Sequence, residues 1–375
     1  MRVGMVGCGN ISGIYIRNIP RFRDIELVAC ADLLPEAARA VAEKAGIRAL
    51  PVEALLADPE IDIVLNLTVP LAHAEVSAAA LAAGKHVYSE KPLGVTVAEG
   101  ERLVAEAEAR GLRIGVAPDT FLGGAHQICR ELIDRGEVGP VVAGTCFVLS
   151  AGMEGWHPNP AFFFQRGGGP VLDVGPYYIA ALVNLLGPVK GVAALDAIGT
   201  AERVCTADGP NRGQRIRVEV PTTAMSLLEM ASGARIMFGA SWDIPAHGHR
   251  PMELYGRTAS LRPPDPNFMG GMVEVGRNRD QWTEIDPATR PFGAPNWPAD
   301  TPRLANDRGL GLAEMAAAIR ENRPHRASGR LGLHVLQVAE AIATAAAERR
   351  YVAIDAAVER PEALSAEEAK ALLRP

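Results

Sequence analysis

Along the first 135 residues, short apolar runs alternate with stretches of helical spacing, and that alternation sets the expected fold. Arg2–Val6, Ile25–Ala31, Ile61–Leu67, His86–Ser89 and Leu112–Ala117 read as buried strands. Between them, helical patterning runs to about Pro20, from Pro35 to a stop at Gly46, and from Leu71 to Ala83 before Gly84. Thr96 with Glu99 spells a capping box for the next helix, which Gly111 ends, and Ala125–Arg135 is a further helix closed by Gly136. Apolar strands alternating with helices imply a parallel sheet covered on both faces.

From Val138 to about Glu284 the period changes to two. Arg215–Val220 alternates most clearly, and Val141–Leu149, Ala224–Met230, Arg235–Ser241 and Met252–Tyr255 are further strand candidates. This predicts a largely antiparallel sheet with one face less buried, interrupted by a helix over Tyr178–Leu186. Residues 286–309 carry Pro287, Pro291, Pro295, Pro298 and Pro302, the pattern of a functional cover, an interface arm or mobile chain. Helical spacing returns at Leu312, Met315, Ala316 and Ile319, then at Leu331, Val335, Val338 and Ile342. The expected fold class is α/β: a doubly wound parallel sheet over residues 1–120, then an α+β unit over 121–375 with a large, mostly antiparallel open sheet.

Composition narrows the classes of function. The chain has 375 residues, 48% hydrophobic and 22% charged, with a formal charge of −6. That is ordinary globular chemistry without a basic block, so nucleic acid is not an expected partner. No run of roughly 18 apolar residues suggests a membrane span. The N-terminus enters a strand at once, which does not read as a signal peptide. Five scattered cysteines without a Cys-x-x-Cys pair fit a reducing cytoplasm and no metal centre. Only five of 38 basic residues are lysine, so each lysine hints weakly at chemistry that arginine cannot do.

Four stretches carry candidate chemistry. Gly7-Cys8-Gly9-Asn10-Ile11-Ser12 follows a strand and opens a helix, where glycines let a pyrophosphate approach the backbone. A plain glycine turn is the competing reading. Asp32, ending the second strand, suits ribose hydroxyls and repels a 2′-phosphate; it could equally cap the helix at Pro35. Glu90-Lys91-Pro92 stands where such sheets bind ligands, and a cis Pro92 would aim Lys91 at the cleft. Gly167-Gly168-Gly169 leads to Asp173 and Tyr177, which share a face if helix begins near Asp173. Trp156 and His157 precede the glycine run and can face the same cleft. His73 opens a helix beside the presumed cofactor and can contact it or cap the helix. His247 and His249 lack the partners a metal site needs.

Together, Gly-x-Gly-x-x-Ser at 7–12, Asp32, Glu-Lys-Pro at 90–92 and Gly-Gly-Gly…Asp-x-Gly at 167–175 resemble the Gfo/Idh/MocA oxidoreductases. The resemblance spans nearly the whole chain. Asp-x-Gly-Pro-Tyr-Tyr is similar to a branch that includes apiose dehydrogenase-like proteins. It implies a Rossmann domain with NAD, held by Gly7, Gly9, Asn10, Ile11, Asp32, Thr68, His73, Glu90, Lys91 and Pro92. It implies a sugar, cyclitol or related polyol as substrate, contacted by Trp156, His157 and Tyr178, and a homodimer or homotetramer built on the open sheet. Lys91 matches the family's catalytic lysine and Asp173 the aspartate of its Asp-x-Gly-x-His motif. The motif's last position departs: the family histidine is here Tyr177. Tyr177 assisted by Lys91 is the favoured base, with His157 the competing assignment. A glycosidase that retains its NAD, and a dinucleotide-binding sensor without turnover, are the alternative functions.

Overall fold

The computed structural model describes residues 1–355 and 358–375. Its first sheet has six parallel strands: β1 (Arg2–Val6), β2 (Glu26–Ala31), β3 (Arg48–Ala49), β4 (Ile63–Asn66), β5 (His86–Ser89) and β6 (Ile114–Val116). Their order is β3-β2-β1-β4-β5-β6, so the chain reverses direction across the sheet between β1 and β4. Helices α1 (Ser12–Asn18), α2 (Pro35–Ala45), α3 (Val52–Ala57), α4 (Pro70–Ala82) and α5 (Val97–Ala109) connect the strands. The Thr96–Glu99 capping box forms as the sequence predicts. The two-residue β3 and the short α3 are additions, too brief for a periodic signal.

A second sheet of nine strands follows. Its members are β7 (Val141–Leu149), β8 (Val189–Ala197), β11 (Thr223–Met230), β12 (Arg235–Ser241), β13 (Met252–Gly256), β14 (Ser260–Arg262), β15 (Val273–Asn278), β16 (Gln281–Ile285) and β17 (Val352–Ala353). All neighbours are antiparallel except β7 and β12. The clearest alternating stretch corrects the expectation. Only Arg215–Arg217 is strand, as β10, and it pairs with β9 (Glu202–Val204) in a separate hairpin. Its alternation is real, because Ile216 and Val218 pack with Phe163, Phe164 and Trp242 in a satellite core.

Helices α6 (Gly124–Asp134), α7 (Pro170–Asp173), α8 (Gly175–Leu186), α9 (Leu310–Arg320), α10 (Gly329–Glu348) and α11 (Ala366–Ala371) complete the chain. Every residue of α8 is buried. Residues after 310 return to the first sheet, where Val116 donates its amide to Ala327 at 3.0 Å. The opposite face of the nine-stranded sheet leaves Leu195, Met225, Leu227 and Met237 exposed. The proline-rich segment 286–309 is an ordered strap. It crosses to α1 and the turn after it, where the Arg17 guanidinium lies over the Trp297 ring and Arg21, past the helix end, pairs with Asp307.

Candidate active site

Because the six strands run parallel, their carboxyl ends meet at one edge, and the predicted motifs gather there. Gly7 takes φ +103°, and a Cβ there would sit 2.5 Å from the Leu67 carbonyl oxygen, so only glycine fits. The amides of Gly9, Asn10 and Ile11 have no hydrogen-bond partner among the described residues. Space is open where a Cβ on Gly9 would stand. Around this loop Leu33, Leu34, Val69 and Leu71 are 91%, 59%, 60% and 63% exposed. Free backbone donors beside a rim of bare apolar side chains fit a dinucleotide. Asp32 closes the turn: Cys8 N donates to its Oδ2 at 2.7 Å and Leu34 N to its Oδ1 at 2.9 Å. It does not cap α2, whose first residue is preceded by Leu34 as cap.

Two residues expected to touch the cofactor hold the loops instead. His73 is buried, with Nδ1 at 2.7 Å from Pro92 O and Nε2 at 2.9 Å from Thr68 O. Neither ring nitrogen is left for a ligand. Burial lowers its pKa against the pull of the two carbonyls. A neutral ring has a single N–H and donates to one of them at a time, while both contacts lie between the turn after β4 and the turn after β5. Glu90 accepts from the Tyr15 hydroxyl at 2.8 Å and from Lys91 N at 3.1 Å, so both its oxygens are engaged within the chain. Thr68 donates through Oγ1 to Asn66 Oδ1 at 2.7 Å. The Lys91–Pro92 peptide is cis.

The Lys91 side chain reaches Asp173, and a break in the helix receives it. Pro176 has no amide to offer the Leu172 carbonyl, and the helix divides into α7 and α8 at Val174. Asp173 and Tyr177 therefore do not share one continuous helix. Tyr177 N bonds to Val174 O rather than to Asp173 O. The freed Asp173 carbonyl accepts from Lys91 Nζ at 2.6 Å, and its Oδ1 accepts from the same amine at 2.7 Å. The Nζ stands 5.4 Å from the centre of the Tyr177 ring. Burial would lower the Lys91 pKa, but Asp173, Tyr177 and Glu90 outweigh it and raise it, so the ammonium stays charged. Upstream, a Cβ on Gly168 would lie 2.3 Å from the Phe163 carbonyl oxygen, which fixes the turn that delivers Asp173.

His157 lies in an aromatic nest of Trp156, Phe162 and Phe163, near enough to feel the Asp173 charge. Its Nδ1 accepts from Asn159 N at 3.1 Å. The neutral ring then carries its proton on Nε2, where it can donate but not take a proton. Burial lowers its pKa and keeps it neutral. Tyr178 is buried and donates to Asp265 Oδ1 at 2.8 Å, and Tyr177 beside it is buried too, with its hydroxyl oxygen accepting from Arg308. Trp156 is exposed at the rim.

Sequence reasoning passed over several contributors. Asn66, buried in an apolar strand, donates to His73 O and Ser77 Oγ, both at 3.0 Å; a lone amide in that run was the available signal. Arg308 is buried and donates through Nη2 to the Tyr177 hydroxyl oxygen at 3.3 Å. Asp119 accepts from Gly309 N at 3.1 Å and Gly311 N at 2.8 Å, anchoring the start of α9. Burial pushes its carboxyl up to about 6, against the pull of those amides and Arg308. Asn-Asp-Arg-Gly at 306–309 is short and carries no periodic signature.

Comparison with known proteins agrees with this geometry. Residues 1–117 match the model of an oxidoreductase family with an NAD-binding Rossmann fold, and residues 126–262 match the Gfo/Idh/MocA C-terminal domain. A dTDP-3,4-didehydro-2,6-dideoxy-alpha-D-glucose 3-reductase of Streptomyces violaceoruber is 31% identical over 278 residues, covering 67% of this chain and 76% of that protein. A 1,5-anhydro-D-fructose reductase of Ensifer adhaerens is 30% identical over 178 residues, 46% of this chain and 53% of its own length. This chain thus spans about half the length of some curated relatives it matches, 53% in that case. A levoglucosan dehydrogenase solved with NADH superposes with a TM-score of 0.79 at 23% identity, covering 94% of this chain and 99% of its own. The chain belongs to the Gfo/Idh/MocA oxidoreductase family.

Proposed function

We propose that this chain transfers hydride between NAD(H) and a hydroxyl-bearing or carbonyl carbon of a sugar, cyclitol or related polyol. The observation that carries the reading is the Lys91 amine, held 2.7 Å from Asp173 Oδ1 against the Tyr177 ring at the sheet edge that carries the glycine loop. The amides of Gly9, Asn10 and Ile11 would meet the pyrophosphate, and Asp32 the adenosine ribose. When bound, the nicotinamide supplies or accepts the hydride. Lys91, charged throughout the neutral range, stabilises oxygen charge that develops on the substrate. Asp173 fixes the amine through both its carboxylate and its carbonyl. Tyr177 acts as its phenolate, which takes the hydroxyl proton and becomes the phenol, whereas the proton on His157 Nε2 leaves that histidine a donor toward substrate.

The relatives that act on deoxysugar nucleotides, anhydrosugars and inositol support a polyol substrate for this chain. Self-association through the open face of the nine-stranded sheet accounts for its exposed Leu195, Met225, Leu227 and Met237. A panel of pentoses, hexoses, cyclitols and sugar acids with NAD tests the function by NADH absorbance. Accumulation of NADH with at least one member is expected. Glycoside cleavage without net NADH would favour a glycosidase, and NADH binding with no turnover would favour a sensor. Tyr177→Phe should lose about a hundredfold or more in kcat. If only KM rises in that variant, Tyr177 is a binding residue and the base lies elsewhere.

A further inference from the structure

The strap 286–309 grips α1 with one side of Arg308 and the catalytic tyrosine with the other. Asn18, the last residue of α1, donates through Nδ2 to the carbonyl oxygens of Asn306 and Arg308, both at 3.0 Å. The Arg308 side chain turns the opposite way. Nη1 donates to Asn306 Oδ1 at 2.8 Å, and Nη2 to Asn267 Oδ1 at 2.9 Å and to the Tyr177 hydroxyl oxygen at 3.3 Å. Arg308 is only 8% exposed, so its donors serve the protein rather than a ligand.

We propose that Arg308 is the positioning residue that lets a tyrosine stand where the family motif has a histidine. This rests on the reading of Tyr177 as the base. With a lone pair of the phenol oxygen held by Nη2, the hydroxyl proton must point away from Arg308. Charge arising on that oxygen as the proton leaves meets a fixed cation. Lys91 cannot supply this directionality, since it approaches the face of the ring and its hydrogen bonds go to Asp173. A guanidinium holds its proton throughout the accessible pH range, so it orients the phenol without competing as an acid. The other charged or titratable groups near Tyr177 are Glu90 after β5, Asp119 after β6, Asp173 at the end of α7 and Tyr88 on β5. The link through Asn18 also sets Arg308 by the helix that starts at the glycine loop.

The test uses Arg308→Met and Arg308→Lys, with the panel sugar that the parent turns over fastest and with NADH fluorescence titration. Arg308→Met should lose about tenfold to a hundredfold in kcat, while substrate KM and NADH Kd change by less than about threefold. Its kcat/KM should begin to rise at higher pH than the parent's, because removing the cation disfavours the phenolate. Arg308→Lys should regain part of kcat and move the profile back. A profile for Arg308→Met that superposes on the parent's overturns the proposal, whatever happens to kcat. Should Arg308→Met fail to fold, Asn267→Ala frees Nη2 and is read by the same shift in the same direction. Tyr177→Phe keeps the two ideas apart. If it retains kcat, the base assignment falls; if it loses kcat while the Arg308→Met profile stays put, only the role of Arg308 falls.

Discussion

The two sheets keep their chemistry in different places. In the six-stranded sheet the candidate groups stand at strand ends: Gly7 after β1, Asp32 after β2, Asn66 closing β4 and Lys91 just past β5. In the nine-stranded sheet the noteworthy feature is a face, the apolar patch of Leu195, Met225, Leu227 and Met237. The cause is strand direction. Parallel strands deliver every carboxyl end to one edge, whereas antiparallel strands alternate their ends and concentrate residues by face. Substitutions at the edge of the first sheet should therefore change chemistry and spare assembly. Substitutions on the face of the second should do the reverse.

Lys91→Arg gives the largest expected effect and tests the edge. Arginine keeps the charge, but its planar fork cannot sit as a single amine between Asp173 O and Oδ1. We expect kcat to fall by about a hundredfold or more, with NADH affinity and molecular mass in solution unchanged. Near-parental kcat would leave Lys91 a structural partner of Asp173 with no part in the chemistry. Leu227→Lys tests the face. On the proposed self-association it should shift sedimentation velocity toward single chains while NADH affinity holds, and an unchanged mass would remove the open face as the interface. Asp32→Ser is the subtlest. A carboxylate beside a 2′-phosphate puts like charges together, so the ratio of kcat/KM for NAD over NADP should narrow by about tenfold. Equal values for the two cofactors in the parent protein would end that argument.

What could be read from the sequence follows the range of the interactions. The capping box at Thr96 and the turn at Glu90-Lys91-Pro92 depend on a few adjacent residues, and both were legible. The helix through Asp173 was legible only in part, since Pro176 divides it, and the division is what presents the Asp173 carbonyl to Lys91. Arg215–Val220 alternates because it buries Ile216 and Val218, but a period of two does not say which sheet a strand joins. His73 was placed at the right edge, yet only the fold shows both ring nitrogens occupied by carbonyls. Arg308 meets Tyr177 across 131 positions of sequence, with no local pattern to announce the contact.

The strap also sets an order of events during synthesis. The bond from Asn18 to the Arg308 carbonyl joins positions 290 apart, and Arg374 reaches back to the Phe22 carbonyl across 352. At about 5–20 residues per second, a ribosome releases β1–β6 roughly ten seconds or more before Arg308 emerges. A growing chain can thus own its glycine loop, Asp32 and Lys91 while Tyr177 still lacks the guanidinium that orients it. The earlier-made third is a binder first, and the surroundings of Tyr177 are completed among the last contacts to close.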